Sequence, residues 1–499
     1  MSGASDPSHP DVRGTRRRDR PGEPWRPGSR GRRESPRHTH ATRHAPPVNG
    51  RRFAWTLLAT LALDACSGGV PRPEPPVAVP SRADERAPEP LPRDSISALI
   101  ERAAERERES SVPLDEAPAV VSEGGRRIRV ALGVARGETA LSSTGPWRLT
   151  DAGGSTLARV ATDVTWRLEQ RGAQLRAMQG TLITAARGGA SVATPDNGAM
   201  LRWGGRRYRG ALHFIPTDSG ILVVNHVMLE QYLRSVVAGE IGKRTEAEHA
   251  AAEAQAVAAR SYAWVKRGAG GVRAWDVVAT VIDQVYGGVE AEGPVADAAV
   301  ASTAGLVLAY GGRVINAPYH ASCGGTTAEP SDVWRSGPEP YLRRVSDRMP
   351  GTTRSWCDIA PRYRWTTTFT GDEVERLVSR YLAAGAPVKV RGASVMGTTT
   401  GGRATGIAFE TSRGRLEARG NELRFVLRKG GELLNSTWVE LDVRPTNDGT
   451  IEALTVRGRG YGHGVGMCQW GAIGRSRAGQ DVRAILAAYY PGTQLRRAE

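Results

Sequence analysis

The 499-residue chain lacks several features that would place it at once in a structural class. No segment after residue 66 is long and apolar enough to cross a bilayer as a helix. There is no internal repeat and no sustained heptad pattern, which excludes a solenoid and a coiled coil. Only three cysteines follow Cys66, so they cannot all pair in intramolecular disulfides.

Positive charge is plentiful but unevenly distributed. The formal net charge is +16, and residues 1–65 contribute +7 of it through thirteen Arg against six Asp and Glu. Residues 1–50 consist largely of Arg, Pro and Gly, a composition that predicts a disordered basic extension. Such an extension could bind nucleic acid, but a solvated tail or an overextended reading frame is the simpler interpretation. We therefore expect no nucleic-acid partner.

Residues 51–66, RRFAWTLLATLALDAC, have the pattern of a signal peptide: two arginines, a short apolar run and small residues. The last four resemble a bacterial lipobox with Cys66 as the lipidated residue, although Asp64 is a poor fit. An ordinary signal peptide is the alternative. Residues 67–125 are rich in proline and predict a tether with a short helix. We expect an exported lipoprotein, anchored to a membrane on its periplasmic or cell-wall side.

The rest of the chain carries both strand and helix signals. Alternating apolar residues broken by Gly, Asp and Asn predict a β-rich part over residues 126–205. Two helices follow, and the second opens at a capping box formed by Thr245 and Glu248. Residues 388–445 predict a β-hairpin-like insertion. The expected fold class is α+β, with a mixed β-sheet core and a few packed helices.

One stretch, GRGYGHGVGMCQWGA at residues 458–472, places glycine at every second position through Gly466. If the stretch is a strand, its glycines share one face, while Tyr461 and His463 lie on the other. Glycine weakens a strand, so such a run needs a compensating use, such as the close approach of a ligand or of another backbone. No Lys-Ser/Thr pair follows, which argues against a phosphate-binding loop.

Three ordered blocks resemble one known family. They are LVVNHVMLEQYLRSVVAGEIG with AAEAQAVAARSYAW, then YHASCGGTTAEPSDVW, and finally GRGYGHGVGMCQWGAIGRSRAGQDVRAILAAYYPGTQL. They are similar to SpoIID/LytB-domain proteins, the stage II sporulation protein D type, from about residue 126 to the C-terminus. The catalytic domain is expected at 206–499. The resemblance implies a protein that acts on peptidoglycan, because the family includes lytic transglycosylases, especially on strands stripped of stem peptides, and enhancers of cell-wall amidases. The remaining positive charge suits an anionic wall.

Transferred residue by residue, the catalytic glutamate of the family falls on Glu240, in VVAGEIG. A lytic transglycosylase needs an acid that protonates the glycosidic oxygen, and the C6 hydroxyl of the sugar then closes a 1,6-anhydro ring. The second carboxylate of ordinary glycosidases is not required. Small and apolar neighbours would desolvate Glu240 and raise its pKa, as a proton donor at neutral pH requires. The alternative function is a non-catalytic wall-binding protein that stimulates an N-acetylmuramoyl-L-alanine amidase.

Further side chains are candidate glycan contacts. A glycan is flat and rich in hydroxyls, so we expect the bare glycine face to line its groove. Packing of the glycines against the second helix is the alternative. In that helix, Gln255 and Tyr262 share a face, whereas Arg260 could instead pair with a carboxylate. The candidate substrate-binding residues are Gln255, Arg260, Tyr262, Tyr461, His463, Gln469 and Trp470.

The remaining cysteines, Cys323, Cys357 and Cys468, leave three arrangements open. With His320, three residues before Cys323, they could form a closed tetrahedral zinc site of structural type. His463 is the alternative fourth ligand. A Cys323–Cys357 disulfide with one free thiol, and three unlinked buried thiols, are the other two arrangements.

Overall fold

The structure is a computed structural model that describes residues 112–113, 127–185, 191–267, 273–334 and 336–498. The predicted extension, the signal segment with Cys66 and all of the tether except Val112–Pro113 lie outside the described residues. All described residues belong to the unit Asp84–Glu499. Within them, no helix combines the length and the apolar character needed to span a membrane.

The described chain up to residue 228 consists of strands and turns, because apolar and polar residues alternate there. In one hairpin, Trp166 and Leu168 are buried and Arg167 is exposed, and Gly172 makes the turn with a φ of 60°. The strands are β1 Val112–Pro113, β2 Arg127–Ala135, β3 Glu138–Ser143, β4 Trp147–Asp151, β5 Thr156–Val160, β6 Trp166–Arg171, β7 Gln174–Gln179, β8 Leu182–Ala185, β9 Ser191–Pro195, β10 Leu201–Trp203, β11 Arg206–Tyr208, β12 Ala211–Thr217 and β13 Gly220–Met228.

Strands β2 to β13 build most of two large sheets, and β1 pairs with β16, Arg313–Val314, in a separate sheet. One has the order β11–β10–β3–β6–β7–β8. The other has the order β14–β2–β13–β12–β9–β4–β5, in which β14, Val277–Val278, pairs with β2 in parallel and the remaining pairs are antiparallel. Strand β13 lies between β2 and β12 and is buried over most of its length, so it is a central strand. It leads directly into the helix that carries Glu240.

Eight α-helices occur among the described residues, so the α+β prediction is confirmed. The predicted capping box forms, with Thr245 and Glu248 at the short 3-10 turn that precedes the second helix. That helix is rich in alanine and buried on nearly every side, as a central helix must be. The helices are α1 Leu229–Ile241, α2 His249–Lys266, α3 Pro294–Ser302, α4 Pro330–Trp334, α5 Gly371–Tyr381, α6 Glu422–Val426, α7 Gln469–Arg477 and α8 Val482–Tyr489, with 3-10 turns at Glu246–Glu248 and Val289–Ala291.

A second, smaller core lies in the C-terminal half, and Phe369, Phe409 and Leu454 are among its fully buried residues. The remaining strands are β15 Leu306–Tyr310, β16 Arg313–Val314, β17 Tyr319–His320, β18 Arg364–Thr370, β19 Val390–Thr398, β20 Ala404–Thr411, β21 Gly414–Arg419, β22 Arg428–Lys429, β23 Glu432–Leu433, β24 Val439–Pro445, β25 Ile451–Arg459, β26 Met467–Cys468 and β27 Gln494–Arg497.

The predicted insertion at 388–445 is a three-stranded meander, β19–β20–β21, together with α6, the short hairpin β22–β23 and the strand β24. Its core also includes residues of β18, α5 and β25, which lie outside the predicted range. Strand β25 pairs with both β18 and β24 and runs directly into the glycine-rich stretch. The β-rich insertion is therefore packed against the segment that leads to the candidate site.

Candidate active site

Glu240 lies in the last turn of α1. Leu233, Val236 and Val237 bury one face of this helix in the core and fix its position. The helix ends at Gly242, which has a φ of 75° and donates its N–H to the carbonyl of Ala238, a C-terminal cap that favours glycine. The glutamate is thereby held at a helix end, where the chain changes direction.

The carboxylate of Glu240 has two hydrogen-bond donors. The backbone N–H of Val285 donates to Oε1 at 2.6 Å, and the side chain of Gln469 is the second donor. Burial raises the pKa of Glu240 to about 7, against the lowering effect of these two hydrogen bonds. Part of the residue remains accessible. Glu240 thus has the properties of a proton donor near neutral pH.

The loop that supplies the Val285 N–H is held by buried polar groups. Gln284 accepts from the hydroxyl of Tyr232 at 3.0 Å and donates to the hydroxyl of Tyr319 at 3.0 Å. Asp283 accepts from the hydroxyl of Tyr262 at 2.6 Å. Tyr262, a candidate glycan contact, therefore anchors the loop beside Glu240, and its hydroxyl is already engaged.

Gln255 is brought to Glu240 through Gln469. The Nε2 of Gln469 donates to Oε1 of Gln255 at 3.2 Å, and Gln255 is fully buried. Its Nε2 has no partner among the described residues. Gln469 opens α7, and the next residue, Trp470, packs against the guanidinium of Arg244 at 5.6 Å from the ring centroid. Gln469 therefore lies at the acid, and Trp470, the other candidate glycan contact here, lies against Arg244.

Arg260 does not face the acid. It is 1% exposed and forms two 2.8 Å hydrogen bonds to the carboxylate of Glu230, with a third at 3.0 Å to the carbonyl of Leu306. Its role in the fold is to join α1, α2 and β15, so its assignment as a glycan contact is corrected. The ion pair that the sequence left open as the alternative is the one observed.

The alternating glycines do not form one long strand. Strand β25 ends at Arg459, and Gly460, Gly462, Gly464 and Gly466 all have φ between 71° and 109°. Only glycine adopts such values without strain. A Cβ at any of the four would collide with the segment 318–324 or with the guanidinium of Arg403. The glycine surface is covered by protein, so it does not line a groove, nor does it pack against α2.

The side chains between the glycines have different surroundings. Tyr461 packs under the guanidinium of Arg362 at 4.6 Å, and His463 packs against Trp334 at 5.0 Å. His463 accepts from the N–H of Val465 through Nδ1 at 3.1 Å and therefore donates through Nε2 to the carbonyl of Tyr319 at 2.8 Å. Both ring nitrogens are engaged, so His463 can offer only its ring surface to a ligand.

The cysteines meet in one buried cluster, although they come from three distant segments. Ligand atoms of Cys323, Asp347, Cys357 and Cys468 lie within 4.8 Å of one another. All four residues are fully buried, and the three cysteines are free thiols. Hydrogen bonds from Cys323 and Cys468 lower the pKa of the Cys357 thiol. Three thiols and a carboxylate are donors that suit a tetrahedral zinc ion.

His320 does not belong to this cluster. Its Nδ1 faces the carbonyl of Val465 at 3.1 Å, and Asp347 stands where the fourth ligand was expected. Nothing in the sequence around Asp347 indicated this, because its closeness to Cys357 arises only in the fold. The hydroxyl of Tyr489 donates to Asp347 at 2.7 Å, and Arg475 lies at 3.5 Å.

The buried charge of Arg403 indicates whether the cluster fits a metal ion. It is 1% exposed, it donates to the carbonyl of Cys323 at 3.0 Å, and no carboxylate within salt-bridge distance is found for it among the described residues. A buried cation needs an anionic neighbour. Three thiolates and a carboxylate around a divalent ion carry a net charge of about −2, which Arg403 and Arg475 would balance.

Comparisons with known proteins agree with this architecture. A family model described as "Stage II sporulation protein" matches residues 217–310, which include Glu240, and a model of a domain of unknown function matches residues 356–466. An uncharacterized protein of Brachyspira hyodysenteriae is 31% identical over 298 residues, which cover 58% of this chain and 73% of that protein. The chain belongs to the SpoIID/LytB family.

Two relatives of this SpoIID/LytB-family chain have names that describe a function. The amidase enhancer of Bacillus subtilis is 31% identical over 299 residues, 53% of this chain. Stage II sporulation protein D of the same organism is 31% identical over 203 residues, 40% of this chain. The chain spans 40% of the length of the first and 51% of the second.

Proposed function

We propose that this chain is a lytic transglycosylase that cleaves peptidoglycan glycan strands, preferably strands without stem peptides, and that Glu240 is its general acid and base. The observation that carries the proposal is the isolation of this acid. Its pKa is raised to about 7 by burial, its two hydrogen-bond donors are neutral, and no carboxylate among the described residues contributes to the shift. A hydrolase would need a second carboxylate beside the first.

One carboxyl group is sufficient for this reaction. Protonated Glu240 donates its proton to the glycosidic oxygen, and the bond from that oxygen to the anomeric carbon breaks. The C6 hydroxyl of the same sugar attacks the anomeric carbon and returns its proton to the Glu240 carboxylate. The N–H of Val285 and the amide of Gln469 stabilise that carboxylate between the two steps. No water is consumed, and the acid ends in its starting form.

The experiment is a digestion of purified peptide-free glycan by the full chain, with products analysed by mass spectrometry. We expect 1,6-anhydro ends with the wild type and a loss of about 10²- to 10⁴-fold in rate with Glu240→Gln, because the proton donor is removed. Glu246→Gln, a surface carboxylate nearby, is the matched control and should cleave normally. Reducing ends without the anhydro ring would instead identify a hydrolase.

A second candidate function is favoured by the name of one relative, the amidase enhancer. In this alternative the chain binds the wall and stimulates a cell-wall amidase without cleaving glycan itself. Intact glycan with both the wild type and Glu240→Gln, together with faster turnover by an added amidase, would support it. In either case we propose an exported protein tethered through Cys66, with peptidoglycan as its partner.

We also propose that Cys323, Cys357, Cys468 and Asp347 hold a structural zinc ion. The cluster joins the segment before β18, the segment after β17 and the start of α7. Since α7 begins with Gln469, an ion in this cluster would fix the helix whose first residue contacts Glu240. The supporting observations are the donor set and the two arginines that balance its charge.

A further inference from the structure

A tight turn beside the candidate active site carries two exposed apolar side chains. The N–H of Asp283 donates to the carbonyl of Thr280 at 3.1 Å and closes a β-turn, so Val281 and Ile282 occupy its two central positions. Val281 is 81% exposed and Ile282 is 80% exposed, and they are the two most exposed large apolar side chains among the described residues. The turn therefore presents a pair of adjacent aliphatic groups to solvent or to a ligand.

The composition of this turn does not follow from local folding preferences. The central positions of turns favour Gly, Pro, Asn, Asp and Ser, whereas valine and isoleucine favour strands. Two neighbouring aliphatic side chains that stay in water also gain no burial energy for the fold. Residues that break a local rule without a structural gain are expected at functional positions.

The turn belongs to the same loop as the N–H that holds the acid. Val281 lies four positions before Val285, whose N–H donates to Oε1 of Glu240 at 2.6 Å. The Cα atoms of Val281 and Val285 are therefore at most about 14 Å apart. A glycan strand of several sugars with one glycosidic oxygen at Glu240 is long enough to reach the turn.

Hydrogen bonds to neighbouring elements hold this loop in place. The carboxylate of Asp283 accepts from the hydroxyl of Tyr262 at 2.6 Å and from the N–H of Val278 at 2.9 Å. Gln284 donates to the carbonyl of Ala259 at 3.2 Å, in addition to its bonds with two tyrosines. A surface that is already fixed loses little conformational entropy when a ligand binds. The exposed pair is thus a preformed contact surface.

The proposed substrate offers a matching group. Every sugar of a peptidoglycan strand carries an acetamido group, whose amide is polar and whose methyl group is apolar. The side chains of Val281 and Ile282 contain no polar atom, so they can recognise the methyl group but form no hydrogen bond with the sugar hydroxyls. Contact between these apolar groups removes both from water, which is favourable.

We propose that Val281 and Ile282 contact the acetamido methyl groups of the glycan strand that Glu240 cleaves, and that this contact makes binding selective for N-acetylated sugars. The inference rests on the proposed function and adds a specificity-determining pair to it. A strand whose sugars lack only the methyl group keeps its length, its hydroxyls and its charge. Such a strand therefore loses this contact and no other.

The first test changes the ligand. Peptide-free strands are chemically de-N-acetylated, and one portion is then re-acetylated while the other is N-formylated, so the two products differ by one methyl group per sugar. Binding to the full chain carrying Glu240→Gln is measured by co-sedimentation. We expect the N-formyl strands to bind about 4- to 15-fold more weakly, as for one or two methyl groups that leave apolar contact. Equal binding of the two strands would overturn the proposal.

The second test changes the protein. The double variant Val281→Ser, Ile282→Ser should bind the N-acetyl strands as weakly as the N-formyl strands, with no change for the N-formyl strands. The matched control is Leu182→Ser, Ile183→Ser, which changes another exposed aliphatic pair, 52% and 56% exposed, on strand β8. The control should keep the full preference. A preference that survives in the Val281, Ile282 variant would overturn the proposal.

An exposed apolar pair could also take a second copy of the chain as its occupant. Analytical ultracentrifugation of the wild type and the double variant distinguishes the two occupants. We expect both to sediment as monomers, whereas a wild-type dimer that the double variant abolishes would overturn the proposal. Both positions are exposed, so the substitutions should leave folding unchanged, and the ligand test requires no change in the turn.

Because binding is measured without cleavage, this proposal and the proposed function can fail separately. A preference for N-acetyl strands in a chain that does not cleave would leave the apolar contact standing without the transglycosylase. Cleavage by the wild type together with equal binding of the two strands would do the reverse.

Discussion

Glu240 and Asp347 are two buried acids whose pKa values burial raises to about 7 and about 8, yet their surroundings differ in kind. Glu240 is partly accessible and is held by a backbone N–H and a neutral amide. Asp347 is fully buried among thiols, with a tyrosine hydroxyl and the guanidinium of Arg475 as partners.

A raised pKa therefore does not identify a catalytic group by itself. A proton carrier needs an opening through which a substrate can reach it and neutral neighbours that allow both of its charge states. Glu240 meets both conditions. Asp347 meets neither, because it is fully buried and because its neighbours include thiols and the guanidinium of Arg475.

The largest expected difference between the two acids is in stability and metal content. Asp347→Asn should lower the free energy of unfolding by about 3–5 kcal/mol, because it removes the anion that pairs with Arg475 and a ligand of the proposed zinc ion. Cys323→Ser should lose the metal as well. Chemical denaturation and elemental analysis of the purified variants check both. Equal zinc in wild type and variants, or none in either, would exclude the site.

Two further variants serve as controls for the stability effect of Asp347→Asn. Asp358→Asn breaks an ion pair with Arg354, whose side chain is 65% exposed, and should change the free energy of unfolding by less than about 1 kcal/mol. The change in the free energy of unfolding caused by Glu240→Gln should have the opposite sign from the change caused by Asp347→Asn. The pKa of Glu240 lies above its unfolded value of 4.5, so the stability that its proton provides is lost as pH rises towards 7. At pH 8, the glutamine variant should be more stable than wild type by about 1–3 kcal/mol.

The next effect concerns the pH dependence of cleavage. Below pH 7 Glu240 holds its proton and can donate it, whereas above pH 7 it is ionised. The cleavage rate of peptide-free glycan should therefore fall about tenfold per pH unit above 7. Glycan binding to Glu240→Gln, measured over the same range, controls for effects on binding. A rate that stays constant up to pH 9 would show that Glu240 is not the proton donor.

The sequence predicted the fold class and the start of one central helix. The α+β class follows from patterns of period 2 and 3.6, and the capping box at Thr245 marks its helix correctly. Such signals work because a helix or strand fixes its own residues relative to one another. Glu240 was selected through the family resemblance, and its role and those of Gln469 and Trp470 stay predictions.

Contacts between distant segments could not be predicted in the same way. Asp347 joins the cysteines, and Val285 contributes only a backbone N–H, which leaves no trace in the sequence. The interpretation of the glycine stretch as one strand was wrong. Glycine at every second position is compatible with a strand, but it is equally compatible with a loop whose glycines have positive φ. Val281 and Ile282 look like strand residues until their exposure is known.

The smallest expected effect is a shift in the pKa of Glu240. It distinguishes a residue that hydrogen-bonds to the carboxylate from one that only packs nearby. The hydrogen bond from Gln469 lowers the pKa of Glu240, so Gln469→Met should raise that pKa. The alkaline limb of the rate profile should move upward by about 0.5–1 pH unit, as expected for one lost hydrogen bond. Gln255→Met is the matched control, since Gln255 reaches the acid only through Gln469, and its shift should be smaller. Equal shifts in the two variants, or a downward shift in Gln469→Met, would mean that burial alone sets the acidity of Glu240.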